Sequence, residues 1–101
     1  MELAELTSKV KQVSQKYQKN YNIKPDDSWY ILKLQEELGE LIQAFLMVKK
    51  KARRKNKSDK ELKQDFDGEV ADVLGHILLL ADHFGVDLET VMKEKWMKWL
   101  E

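Results

Sequence analysis

An all-α fold of four helices is what this chain predicts, and three observations predict it. Apolar residues recur at spacings of three and four along most of the sequence, which is the period of one helix face. One proline and four glycines in 101 residues leave long stretches without a breaker. No segment alternates apolar and polar residues as a half-buried strand would. With no repeat and no composition break, residues 1–101 read as a single domain. A domain this small buries a modest core, so the bundle is expected to be completed by oligomerisation.

The elements follow in order. Leu3, Leu6, Val10, Val13 and Tyr17 mark an amphipathic helix over about 2–20. Pro25 disfavours helix at Lys24, and Asp26, Asp27 or Ser28 can cap the next start. The second helix is expected over about 29–50, with Ile31, Leu34, Leu38, Leu41, Ile42 and Phe45 as its inward stripe. Ser58 and Glu61 have the spacing of a capping box, which starts a third helix over about 59–84. Its inward stripe is Leu62, Phe66, Val70, Val73, Ile77 and Leu80. Gly85 suits a C-terminal cap, and Asp87 suits the N-cap of a last helix over about 88–100.

Eighteen basic residues balance eighteen acidic ones, so net charge favours neither a nucleic-acid partner nor a basic one. Without cysteine there is no disulfide and no thiolate metal site. The longest apolar runs, "AFLMV" and "ILLLA", are too short to span a bilayer. "MELAELTSKV" lacks the basic start and apolar core of a signal peptide. A cytoplasmic location is the resulting expectation.

The chemistry concentrates in two acidic motifs. On an ideal helix Glu37 lies roughly 80° and Glu40 roughly 140° from the centre of the second helix's stripe. Glu69 and Asp72 lie roughly 60° and 120° off the third helix's stripe. Each pair alone reads as a solvated face. If the two helices pack stripe to stripe, the four carboxylates converge across a groove, where they repel unless a cation neutralises them. Oxygen ligands favour Mg²⁺, with Mn²⁺ as the alternative. A di-iron carboxylate bundle needs Glu-x-x-His motifs on two helices. The two histidines, His76 and His83, both lie on the third helix and neither follows a glutamate by three.

"KLQEELGEL" followed by "EVADVLGHILLLADHFGVDLETVMKEKW" resembles the MazG-like branch of the all-α nucleoside triphosphate pyrophosphohydrolases. The resemblance covers roughly Trp29 to Trp99. It implies a four-helix MazG-like bundle and Mg²⁺-dependent cleavage of a (deoxy)nucleoside triphosphate between its α and β phosphates, in nucleotide-pool housecleaning. It makes Glu37, Glu40, Glu69 and Asp72 the metal ligands, with Glu36 ordering the metal-bound water or acting as base. Lys33 and Lys95 are then candidates for the phosphates, His76 for a nucleotide contact, and Trp29 for stacking on the base. His83 is a weaker candidate than His76. Lys93 and Glu94 stand where the family often has an asparagine. A homodimer or homotetramer is expected, with Trp96 and Trp99 in the core or at the subunit interface.

The stretch "KKKARRKNK", residues 49–57, holds seven basic residues in nine. It lies outside both acidic motifs and is expected to be a solvated loop dispensable for hydrolysis. Its other reading is a nucleic-acid or polyphosphate contact through neutralisation of backbone charge. No aromatic is interleaved with it, which leaves base-specific readout unsupported. A helical interaction module without catalysis accounts for the stripes but leaves the acidic flanks unexplained.

Overall fold

The computed structural model describes residues 1–50 and 52–100; Lys51, part of the basic stretch, and Glu101 lie outside the described residues. Four α-helices make up the chain: α1 (Leu3–Asn20), α2 (Asp27–Val48), α3 (Asp59–His83) and α4 (Leu88–Lys95), followed by a 3₁₀ turn (Met97–Leu100). Among the described residues there is no strand, and no helix is long and apolar enough to cross a membrane.

Local chemistry explains each boundary. The Asp26 side chain accepts the Trp29 backbone N–H at 2.8 Å, so α2 begins two residues before Trp29. The Ser58–Glu61 capping box forms in both directions, each bond 3.1 Å long. Asp87 caps α4 through the Thr90 N–H. At the other ends, α1 and α3 close in the same way. Ile23 N–H donates to Gln18 O while Asn22 N–H donates to Lys19 O, and Val86 N–H donates to Ala81 O while Gly85 N–H donates to Asp82 O. This double bond pattern needs a left-handed residue after the cap, supplied by Asn22 (φ 52°) and Gly85 (φ 66°). The last helix is shorter than expected. It stops at Lys95 and tightens into 3₁₀ geometry, a common ending where no packing holds the final turn.

The principal packing is α2 against α3, with α1 laid on α3; the extensive contacts of α4 are with the 3₁₀ turn alone. His83 at the end of α3 contacts Asp27 at the start of α2 across 2.7 Å and stacks on Tyr30, which makes the hairpin antiparallel. Lys11 and Asp82 pair at 3.1 Å between α1 and α3.

The seam between α2 and α3 is not the one the stripe suggested. Ala44, Met47, Leu62, Leu78, Leu79 and Ala81 are buried. On α2 the half-buried residues are Trp29, Tyr30, Lys33, Leu34, Glu37, Leu41, Leu46 and Val48, whereas Ile31, Leu38, Ile42 and Phe45 are exposed. The apolar surface of α2 covers more than half its circumference, and α3 takes only part of it. On α3, Leu62 is buried and Phe66, Val73, Ile77 and Leu80 half-buried, but Val70 is exposed. On α1, Leu6 and Val10 face inward while Leu3, Val13 and Tyr17 remain exposed.

Candidate metal centre

Because α3 packs on the Glu37 side of α2, Glu37 and Glu69 are drawn into the seam, while Glu40 and Asp72 stay exposed at its edge. Glu37 and Glu40 occupy successive turns of α2, and Glu69 faces them from α3. One oxygen from each of the three lies within 4.8 Å of the others. The Glu37 side chain is only 13% exposed. Glu69 Oε2 is cut off from water and has no hydrogen-bond partner among the described residues. An orphaned carboxylate oxygen of this kind carries the desolvation cost with no compensation.

The electrostatics state the same problem. Burial, reinforced by the Glu40 carboxylate, a hydrogen bond with it and the Asp72 charge, pushes the Glu37 carboxyl up to about 7, against a smaller opposing pull from Lys33. Burial, with Glu40, Asp72 and Asp65 nearby, also raises Glu69 above the ordinary carboxylate range. Three oxygen donors crowded together, one of them unpartnered, fit a hard divalent cation.

Two cavities flank the cluster, and Asp72 lines both. The first, about 530 Å³, is walled by Val10 and Tyr17 of α1, Trp29 and Lys33 of α2, and Gly75 and His76 of α3, with Glu37 at its edge. The second, about 500 Å³, contains Glu40 and Glu69 together with Gln43, Gln64, Lys55 and Lys57. The basic stretch therefore does not stand apart from the acidic motifs. Two of its lysines face the same cavity as two of the glutamates.

The remaining candidates divide. Trp29 is half-buried, with its ring 6.3 Å from that of His76. His76 Nε2 lies 3.7 Å from Glu37, too far for a direct hydrogen bond. Burial, and then the Lys33 ammonium, lower its pKa, so the imidazole is neutral near pH 7. Lys33 pairs with Glu36 at 3.1 Å. Glu36 is exposed and outside the close triad, and it restrains Lys33. Lys95 lines neither cavity: α4 stands off the seam and carries it away. His83 ties α2 to α3, a structural role. Trp96 and Trp99 are exposed.

Sequence reasoning set Lys55 and Lys57 apart from the acidic motifs and missed Gln43 and Gln64. A signal existed for the lysines. Glu40 lies eight residues before the end of α2, roughly 12 Å along the axis. A short connection between antiparallel helices must then cross the end of the groove that holds it.

Residues 3–95 match the family described as phosphoribosyl-ATP pyrophosphohydrolase. The chain belongs to that family. The MazG-like likeness read from the motifs and this match agree on a pyrophosphohydrolase and differ on the branch. The uncharacterized protein YvdC of Bacillus subtilis (strain 168) is 43% identical over 63 residues. That alignment takes in 59% of this chain and 59% of YvdC, so the chain spans under two thirds of this curated relative. No solved structure matches the chain.

Proposed function

We propose that this chain is a Mg²⁺-dependent pyrophosphohydrolase that splits a nucleoside triphosphate, with or without a phosphoribosyl substituent, between its α and β phosphates. One observation carries the reading: in a chain of the pyrophosphohydrolase family, Glu37, Glu40 and Glu69 converge within 4.8 Å around an unpartnered carboxylate oxygen. These three would hold the cation, and Asp72, on the rim of both cavities, is the fourth carboxylate available to it. A divalent ion held there would supply Lewis acidity, polarising a phosphoryl oxygen and acidifying a water. The oxygen of water bonds to the α phosphorus, the bond from that phosphorus to the α–β bridging oxygen breaks, and monophosphate and pyrophosphate result.

The other residues bind and orient. Trp29 and Tyr17 offer aromatic surface to a base. Neutral His76 offers a ring nitrogen to the nucleoside. Lys33, held by Glu36, offers a cation to the phosphates. The substrates named by the family and by the MazG-like motifs are both nucleoside triphosphates, and housecleaning of the nucleotide pool is the role that suits the second. Pyrophosphate release should be assayed on ribo- and deoxyribonucleoside triphosphates and on phosphoribosyl-ATP. We expect turnover with Mg²⁺ that EDTA abolishes; no release from any of them sinks the reading.

A second copy of the chain belongs to this proposal. The accessible surface is 8071 Å² and the radius of gyration 16.1 Å. A compact monomer of this length would have about 6,000 Å² and a radius near about 13 Å. The excess exceeds the roughly 800 Å² that each partner contributes to a standard interface. Ile31, Leu38, Ile42 and Phe45 on α2, with Val70 and Leu74 on α3, supply its apolar centre. Sedimentation should show a homodimer or homotetramer; a monomer at all concentrations removes this part of the proposal.

A further inference from the structure

The connection between α2 and α3 is not spent on joining two helices. Arg54 to Lys57 form a tight turn closed by Lys57 N–H donating to Arg54 O at 3.2 Å. Its two central residues, Lys55 (φ 56°) and Asn56 (φ 60°), are both left-handed. Asparagine tolerates that region, but for lysine it is strained. Such outliers persist where the surroundings hold them, and they cluster at functional sites. Here the turn is held at both ends, by the ion pair of Arg54 with Asp59 and by that of Lys57 with Asp65 at 2.7 Å.

The turn places Lys55 and Lys57 on the wall of the cavity that contains Glu40, Glu69 and Asp72. Lys55 is in no ion pair with any described residue, although Asp65 lines the same cavity. The opposite cavity is the one with Trp29, Tyr17, Val10 and His76. The cluster thus lies between an aromatic chamber and a cationic one. A nucleotide has the same polarity, with an apolar base at one end and its most charged phosphates at the other.

We propose that Lys55 and Lys57 bind the β and γ phosphates of the substrate and hold them as the leaving pyrophosphate, so that the substrate lies across the cluster with its base toward Trp29. This rests on the function proposed above, and it reverses the expectation that the basic stretch is dispensable. The chemistry is direct. When the bond from the α phosphorus to the bridging oxygen breaks, both electrons leave with pyrophosphate, and its charge grows. Ammonium groups placed at that end stabilise the transition state more than the ground state.

The test uses the full chain and inorganic pyrophosphate as probe. Its binding in Mg²⁺ is measured by calorimetry for wild type, Lys55→Ala, Lys57→Ala and the double variant. Lys60→Ala, an exposed lysine outside the cavity, is the control. Thermal melts accompany each, and Lys57→Gln serves if Lys57→Ala fails to fold. We expect the double variant to lose at least about tenfold in pyrophosphate affinity, a loss in the range of charge-assisted phosphate contacts, with nucleoside monophosphate affinity unchanged and Lys60→Ala like wild type. Equal pyrophosphate affinity in wild type and the double variant overturns the proposal, as does a wild type that binds no pyrophosphate. If the lysine variants lose pyrophosphate but wild type hydrolyses no nucleotide, the lysine corner stands and the hydrolase reading falls. If wild type hydrolyses and the variants bind pyrophosphate normally, the reverse holds.

Discussion

The two edges of the α2–α3 seam are both incomplete in a single chain, in opposite ways. One edge gathers Glu37, Glu40 and Glu69, with an oxygen that has no partner. The other exposes Leu38, Ile42, Phe45, Val70 and Leu74. The acidic edge crowds carboxylates with no cation among them, and the apolar edge lacks cover from water. The first deficit responds to cations, chelators and pH, and the second to protein concentration. The comparison therefore predicts two sets of phenotypes that separate cleanly.

Substitutions at the acidic edge should have the largest effect. Glu69→Gln should lower pyrophosphate release by on the order of 10²–10³-fold, as loss of one preorganised transition-state contact does, while the metal-free melting temperature does not fall. Removing one of several repelling charges relieves strain, so a lower melting temperature in the absence of metal would count against the repulsion. Asp72→Asn should behave alike with a smaller loss of activity, since Asp72 stands outside the close triad.

At the apolar edge, Ile42→Glu with Phe45→Glu should convert the proposed homo-oligomer to monomer by sedimentation. Both side chains are exposed in the single chain, so the helical circular dichroism of the monomer should survive. An oligomer that withstands both charges would place the interface elsewhere.

The pH dependence sharpens the contrast. Glu37 titrates near 4.5 when unfolded and at about 7 in the fold. The folded state thus holds the proton more tightly, and its contribution is full below pH 4.5. That contribution is lost as pH rises through about 7. The metal-free chain should melt lower at pH 8 than at pH 5.5, and Glu37→Gln should flatten the slope. An unchanged slope in the mutant would assign the dependence to other groups.

The smallest effect belongs to neither edge. Gly39 lies on the outer side of α2, where an added Cβ meets nothing within 4 Å. Gly39→Ala should stabilise the helix by about 1 kcal/mol and leave activity and oligomeric state alone. A change in either would mean that this side of α2 is also in use.

These edges also mark what could be read from the sequence. The capping box at Ser58 and Glu61, the stop at Gly85 and the cap at Asp87 were legible, because each rests on contacts a few residues apart. The E-x-x-E and E-x-x-D motifs were legible as candidates, because spacing of three fixes neighbours on a helix. Which side of α2 meets α3 was not. Its apolar residues form two stripes about a quarter-turn apart, and averaging them put the centre near Phe45 and Leu38 instead of Leu41 and Ala44. Helical periodicity cannot choose between two apolar sides; the partner helix does. Glu37 was expected on the flank for that reason and lies in the seam. That the α2–α3 connection crosses the end of the groove was legible from the position of Glu40, but which of its lysines face the cavity was not, because the path of a turn depends on how the helices it joins are packed.

The central claim is that Glu37, Glu40 and Glu69 form one divalent-cation site. Thermal melting with and without Mg²⁺, for wild type and Glu69→Gln, tests it most directly, because it requires no knowledge of the substrate. A ligand that binds only the folded state raises the melting temperature. Mg²⁺ should raise that of wild type and leave that of Glu69→Gln nearly unmoved. The same upward shift in both proteins, or a shift in neither, would contradict the account.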